Sequence, residues 1–268
     1  MRKITISVIS ILVATVAVFA GDSGPNLDVA GLKIGMGVHD AMAALKAENP
    51  QFRIDISSHR LEGFSAPLHP SVTAGQNISP TNDGESMELL FTMPPNKEQV
   101  WGIQRHCSYL AQNRPATENT IAALRKKYGP ENIPPGSDPM NQHLTWIYDA
   151  DGKLLPAGKA KEVLMSCATI LQNHFNAGDM SALNELTANV HIPPECGSIT
   201  LMTADVQSTR LDIRNPNGPY VVVNLIVQIS DSSMYFKTIN KTREIAVNAA
   251  NARENKAADD ASKRGPKL

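Results

Sequence analysis

Between Glu85 and Tyr109 the chain alternates with a period of two. Met87, Leu89, Phe91 and Met93 fall on one side of the first run, and Trp101, Ile103, Arg105, Cys107 and Tyr109 on one side of the second, with Pro94-Pro95-Asn96 turning the chain between them. Successive side chains of a strand point to opposite faces, so this pattern demands a half-buried antiparallel pair and rejects a helix. Phe52, Ile54 and Ile56 alternate with Arg53 and Asp55 in the same way, and Leu144, Trp146 and Tyr148 predict a further strand. Ile199 to Asp205 and Tyr220 to Ile229 complete the set. The run Val221-Val222-Val223 with Leu225, Ile226 and Val227 predicts a central strand buried on both faces.

Helical spacing appears between these groups. Val38, Met42 and Leu45 form a short stripe that Pro50 stops; Ile121, Leu124 and Tyr128 form another, which Thr117 is placed to cap and Gly129-Pro130 closes. Val163, Leu164, Cys167, Ile170, Leu171 and Phe175 mark a third helix. From Glu62 to Glu85 the wealth of Pro, Gly, Ser and Asn reads as a long surface loop. Clustered strands with helices before and between them predict an α+β fold of antiparallel sheets packed by short helices. Two subdomains are expected, 21–156 and 157–250, dividing near Pro156-Ala157-Gly158, with one continuous sheet as the alternative. A polar helix from Glu244 would fray into a polar tail over 251–268.

Met1-Arg2-Lys3, an apolar run from Ile4 to Phe19, and Val18-Phe19-Ala20 have the n-region, h-region and cleavage-site pattern of a secretory signal peptide over 1–20. The expected mature chain begins near Gly21 and is periplasmic or secreted, with no later segment of membrane-spanning length. Loss of Arg2 and Lys3 leaves 23 basic against 26 acidic residues, a net charge of −3, which gives no electrostatic reason to expect nucleic acid or an anionic membrane.

Three cysteines would then sit where disulfides persist. Pairing Cys167 with Cys196 closes a loop worth roughly 3 kcal/mol in the chain-entropy model. Cys107, inside a strand-like run, would be left buried as a small apolar residue; the other pairings stay open.

The phrase Val29-Ala30-Gly31-Leu32-Lys33-Ile34-Gly35-Met36-Gly37-Val38 before a short helix, with Trp146-Ile147-Tyr148 in a later strand, resembles small bacterial envelope modules. These are the outer-membrane assembly lipoproteins of the BamE type and the β-lactamase-inhibitor-like proteins. The resemblance implies a helix-on-antiparallel-sheet fold and a role in protein binding or inhibition. It carries over no functional residue, and the lipobox cysteine is absent. Ile103-Gln104-Arg105 and Lys127-Tyr128-Gly129-Pro130 also resemble a pattern in uncharacterised exported bacterial proteins.

No motif compels a reaction. Gly63-Phe64-Ser65-Ala66-Pro67 lacks the last glycine of a nucleophile elbow. His106 and Cys107 are neighbours on a strand and so face opposite ways. The seven histidines, His39, His59, His69, His106, His143, His174 and His191, show no metal-binding spacing, although His59 and His69 flank one loop and could meet. Asp149-Ala150-Asp151-Gly152 reads as a turn, because its glycine comes too early for a calcium loop. Gly35-Met36-Gly37 lacks the third glycine of a dinucleotide site. No catalytic residue, metal or cofactor is assigned.

Arg105 is the conspicuous residue. A charge in the row Trp101, Ile103, Cys107, Tyr109 must find an internal partner or reach a rim. The sharper alternative is a contact to an anion or a partner, with Trp101 and Tyr109 as flanking anchors. The expected function is accordingly a non-enzymatic protein-binding or inhibitor-like protein of the bacterial envelope. The alternatives are a small secreted hydrolase with spatially assembled residues and a structural envelope component.

Overall fold

The computed structural model describes residues 27–60, 63–77, 82–177, 193–212, 214–215 and 217–264, without the side chains of 168–177, 194 and 195. The expected signal segment and His191 lie outside these residues, and the side chain of His174 is among those not described.

The fold is α+β. The strands are β1 (Asp28–Val29), β2 (Leu32–Lys33), β3 (Arg53–Ile56), β4 (Ser71–Gln76), β5 (Gly84–Phe91), β6 (Val100–Ser108), β7 (Asn141–Tyr148), β8 (Thr200–Arg210) and β9 (Tyr220–Asp231). The α-helices are α1 (Val38–Glu48), α2 (Thr117–Tyr128), α3 (Ala157–Ala177) and α4 (Ser232–Ser262). β1 and β2 form a small hairpin, and the other seven strands form one sheet in the order β3-β4-β5-β6-β9-β8-β7, with every neighbouring pair antiparallel.

Two meanders build this sheet, β3 to β6 and β7 to β9, and they join where β6 pairs with β9 from Gly102↔Ser230 to Ser108↔Asn224. The division expected at Pro156 is therefore not a boundary of the sheet. β7, before it, pairs along its whole length with β8, after it. A period-two pattern reports which face a residue occupies but not which strand lies beside it, so this join left no local trace.

The helices α1 and α2 and the β1–β2 hairpin cover one face. Ala41, Leu45 and Leu124 bury there against Leu89, Ile103, Leu144, Trp146, Met202 and Ile229. The hairpin turn has positive φ at Ala30 (53°) and Gly31 (78°), and Gly31 adopts its conformation without a side-chain penalty. Gly35 N–H then donates to Val100 O (2.7 Å) and Val100 N–H to Met36 O (2.8 Å), so the glycine-rich phrase sews the entry of α1 to the first residue of β6. α2 departs from expectation at its start. Ala116 is the N-cap and supplies no side-chain cap, while the Thr117 hydroxyl donates to Ser208 Oγ (2.8 Å) and ties the helix to β8. Its end is as expected: Gly129 takes φ 82° and returns its N–H to Arg125 O.

Among the described residues, the opposite face is covered at one end. Leu90, Trp101, Ile147 and Leu201 bury beneath Ala160, Val163 and Cys167 of α3 and Tyr235, Phe236 and Ile239 of α4. Cys167 is bonded to Cys196, S–S 2.06 Å, and both are buried. α4 starts directly from β9, where the Asp231 carboxylate caps Met234 N–H (3.0 Å), and continues to Ser262, well into the segment expected as tail. The expected loop over 62–85 holds a strand: β4 pairs with both β3 and β5. With only Val72 and Ala74 apolar in its alternation, that strand resembled the Gly- and Ser-rich loop around it.

Candidate functional site

Arg105 and Tyr109 share the helix-covered face, and Trp101 does not. Phe91 pairs with Val100 and Leu90 with Gly102, which leaves Trp101 as the extra residue of a bulge. The bulge turns its indole to the opposite face, where it packs in the α3–α4 core against Tyr235. A one-residue slip reverses facing, and no local sequence signal announced it.

The Arg105 guanidinium meets two carboxylates through Nη2: Glu48 Oε1 at the end of α1 (3.1 Å) and Glu85 Oε1 on β5 (2.6 Å). The internal partner anticipated for a charge in this row is thus a pair of acids from two elements. Beside it lies a cleft of about 240 Å³ between α2, β6, β9 and the β1–β2 turn. Its apolar lining includes Val29, Leu124, Leu225 and Val227; its polar lining includes Arg105, Cys107, Tyr109 and Lys127. Lys127 is held by Asp28 (2.9 Å), and the Tyr128 hydroxyl donates to Asp28 O (2.8 Å). Burial pushes the Cys107 thiol up and the Tyr109 phenol up to about 12, so both are neutral near pH 7. A thiol raised by burial is a poor nucleophile. His106 lies on the other face, with Ser86 and Ile226 as cross-strand partners, so Cys107 has no base beside it in sequence.

The other half of that opposite face is polar. One row runs Glu88, Gln104, Gln228, Thr203, Thr145 across five strands; the next runs Ser86, His106, Ile226, Asp205, His143. Side chains join sideways across the strands. Thr203 Oγ1 donates to Gln228 Oε1 (3.3 Å) and Gln228 Nε2 to Gln104 Oε1; Ser108 Oγ donates to Asn224 Oδ1 (2.8 Å) and Asn224 Nδ2 to Gln207 Oε1 (3.1 Å). His143 Nδ1 pairs with Asp205, and this hydrogen bond raises the imidazole above its ordinary pKa. Thr145 and Thr203 are buried, Ser86, Gln207 and Asn141 are exposed, and most of the others are half-buried.

The remaining candidates make local hydrogen bonds. His59 bonds Ser57 and His69 bonds Glu98. Asp149 Oδ1 accepts from Asp151 N–H (3.0 Å) and Lys153 N–H (2.9 Å), which closes a turn. No group of three or more His, Cys, Asp or Glu side chains placed to hold a metal occurs among the described residues.

The polar rows are what reading the sequence missed. The signal was in β6 itself: the odd positions carried the apolar row, and the even positions Gln104, His106 and Ser108 were the complementary face. No protein-family model, curated protein or solved structure matches this chain.

Proposed function

We propose that the chain is an exported, non-enzymatic binding protein, periplasmic or secreted, that docks a protein partner of the bacterial envelope on the polar half of its sheet. The observation that carries this reading is the face itself. Seven strands share one sheet, and among the described residues α3 and α4 cover the apolar end of that face, leaving half-buried amide, hydroxyl and imidazole side chains at the other. Lateral hydrogen bonds restrain Thr203, Gln228 and Gln104 in one row and Ser108, Asn224 and Gln207 in another, which lowers the entropy lost when a partner binds. The Cys167–Cys196 disulfide is compatible with an oxidising compartment, and no helix among the described residues is long and apolar enough to cross a membrane.

The test is capture from a native envelope fraction by the chain starting at Gly21, under non-reducing conditions, beside the variants Gln104→Arg and Arg105→Met. One stoichiometric protein held by the parent and by Arg105→Met, and lost by a folded Gln104→Arg, supports the reading. Equal capture by all three, or none by the parent, sinks it.

A further inference from the structure

The cleft beneath α2 lies on the face away from the polar rows, and the proposed docking makes no use of it. We propose that it is a binding site for a small uncharged molecule with an apolar body about the size of one ring and a hydrogen-bond acceptor such as an amide carbonyl.

Size gives the first part. A cavity of roughly 150 Å³ holds benzene, and this cleft offers about 240 Å³. That admits a substituted ring or a short branched chain and excludes a nucleotide or an extended peptide. Leu124, Leu225, Val227 and Val29 supply the apolar contact.

Charge gives the second. The cations lining the cleft, Arg105 and Lys127, are balanced by Glu48, Glu85 and Asp28, three carboxylates against two positive groups. An anion would compete with carboxylates already in place. A cation would have to lie beside Arg105 and Lys127, which line the cleft while none of those three acids does. An uncharged ligand meets neither penalty.

The donor gives the third. Both carboxylates are met by Arg105 Nη2, and Arg105 Nε, shielded from solvent, has no hydrogen-bond partner. That N–H is closed to water as the cleft stands, so an acceptor reaches it as the Arg105 side chain turns toward the ligand, and the pairing then gained recovers the cost of leaving it unmet. Cys107 and Tyr109 also face the cleft as neutral groups, which suits a ligand without charge.

Cys107 is the free cysteine among the described residues and lines the cleft, so its accessibility reports occupancy. The experiment follows the rate at which methyl methanethiosulfonate modifies Cys107 in the chain from Gly21. Benzamide, cyclohexanecarboxamide and isobutyramide serve as uncharged probes, and benzoate and benzylammonium as charged ones. At least one amide is expected to slow the reaction several-fold and raise Tm, while the charged pair do neither. Ala123→Trp, at an exposed position on the mouth of the cleft, should remove the protection in a protein of unchanged fold. Arg105→Met removes the donor and should weaken the protection; undiminished protection by the amides in a folded Arg105→Met overturns the assignment of the acceptor to the guanidinium. The proposal is overturned if no amide protects Cys107, if the charged probes protect equally, or if Ala123→Trp leaves protection intact. All of these readouts are independent of whether the polar face binds a protein.

Discussion

The indole of Trp101 lies against the ring of Tyr235 with centroids 4.5 Å apart and planes inclined by 37°, and this contact fastens the bulge of β6 to the first turn of α4. Tyr235 in turn meets Phe236 edge-on at 5.2 Å. The three rings anchor the covered end of a face whose other end is polar.

Trp101→Ala should cost about 3–5 kcal/mol, the usual toll for emptying a buried aromatic site. Urea titration of the chain from Gly21 would measure it. A loss below 1 kcal/mol would mean that the bulge does not deliver the indole to this core. Trp101→Phe, which keeps a ring against Tyr235, should retain most of the stability.

Arg105 should behave as a structural cation first. About 29 % of its side chain is exposed, against 31 % for Glu48 and 19 % for Glu85, so solvent screens the cluster in part. Arg105→Met leaves two carboxylates facing each other, and a cost of about 1–3 kcal/mol is expected, below that of breaking a fully buried pair. Adding Glu48→Gln and Glu85→Gln should restore part of it. A triple variant no more stable than Arg105→Met would show that the loss comes from packing of the arginine stem rather than from orphaned charge.

The odd–even reading of β6 found the row that holds Arg105, Cys107 and Tyr109, because periodicity alone decides facing in a regular strand. It failed at Trp101, where one inserted residue reverses the alternation, and bulges depend on backbone pairing rather than on residue type. The disulfide partners were legible because two cysteines with a moderate loop between them is a local fact. The seven-stranded sheet was not, because the β6–β9 pairing joins segments more than a hundred residues apart and is decided by packing. The long α4 was half legible. Its polar end showed in composition, while at its start Ser230-Asp231-Ser232-Ser233 carried the N-cap signal that separates Tyr235, Phe236 and Ile239 from β9, which the reading of the sequence passed over.

His143 gives the face a pH signature. The hydrogen bond to Asp205 raises its pKa above the unfolded value, so the protonated imidazolium is favoured by folding. The contribution is fully present below the unfolded value of about 6.5 and is lost as pH rises through the folded pKa. The side chains are 42 % and 37 % exposed, which keeps the effect small. His143→Gln should lower Tm at pH 5.5 and have little effect at pH 8.5. An equal drop at both pH values would assign His143 a packing role instead.

Gly63 and Ala249 test how α4 is held. Gly63 has φ 89°, and a Cβ placed on it would stand 2.9 Å from Ala249 Cβ and 3.2 Å from Ile245 Cγ2. Both the backbone conformation and the space demand glycine, so Gly63→Ala must strain the loop or push α4 away, at about 1–3 kcal/mol. Beyond this contact the helix changes character, since every described residue from Asn251 to Arg264 is exposed. Ending the chain after Ala250 should therefore leave Tm unchanged. Ending it after Thr242 removes Ile245 and Ala249 and should lower Tm, because the loop around Gly63 loses the surface it packs on. If Gly63→Ala is neutral in the full chain, the close approach of loop and helix does not hold in solution. If truncation after Ala250 destabilises, the exposed turns of α4 contribute to the fold, through helix propagation or through the interaction that Arg253 makes.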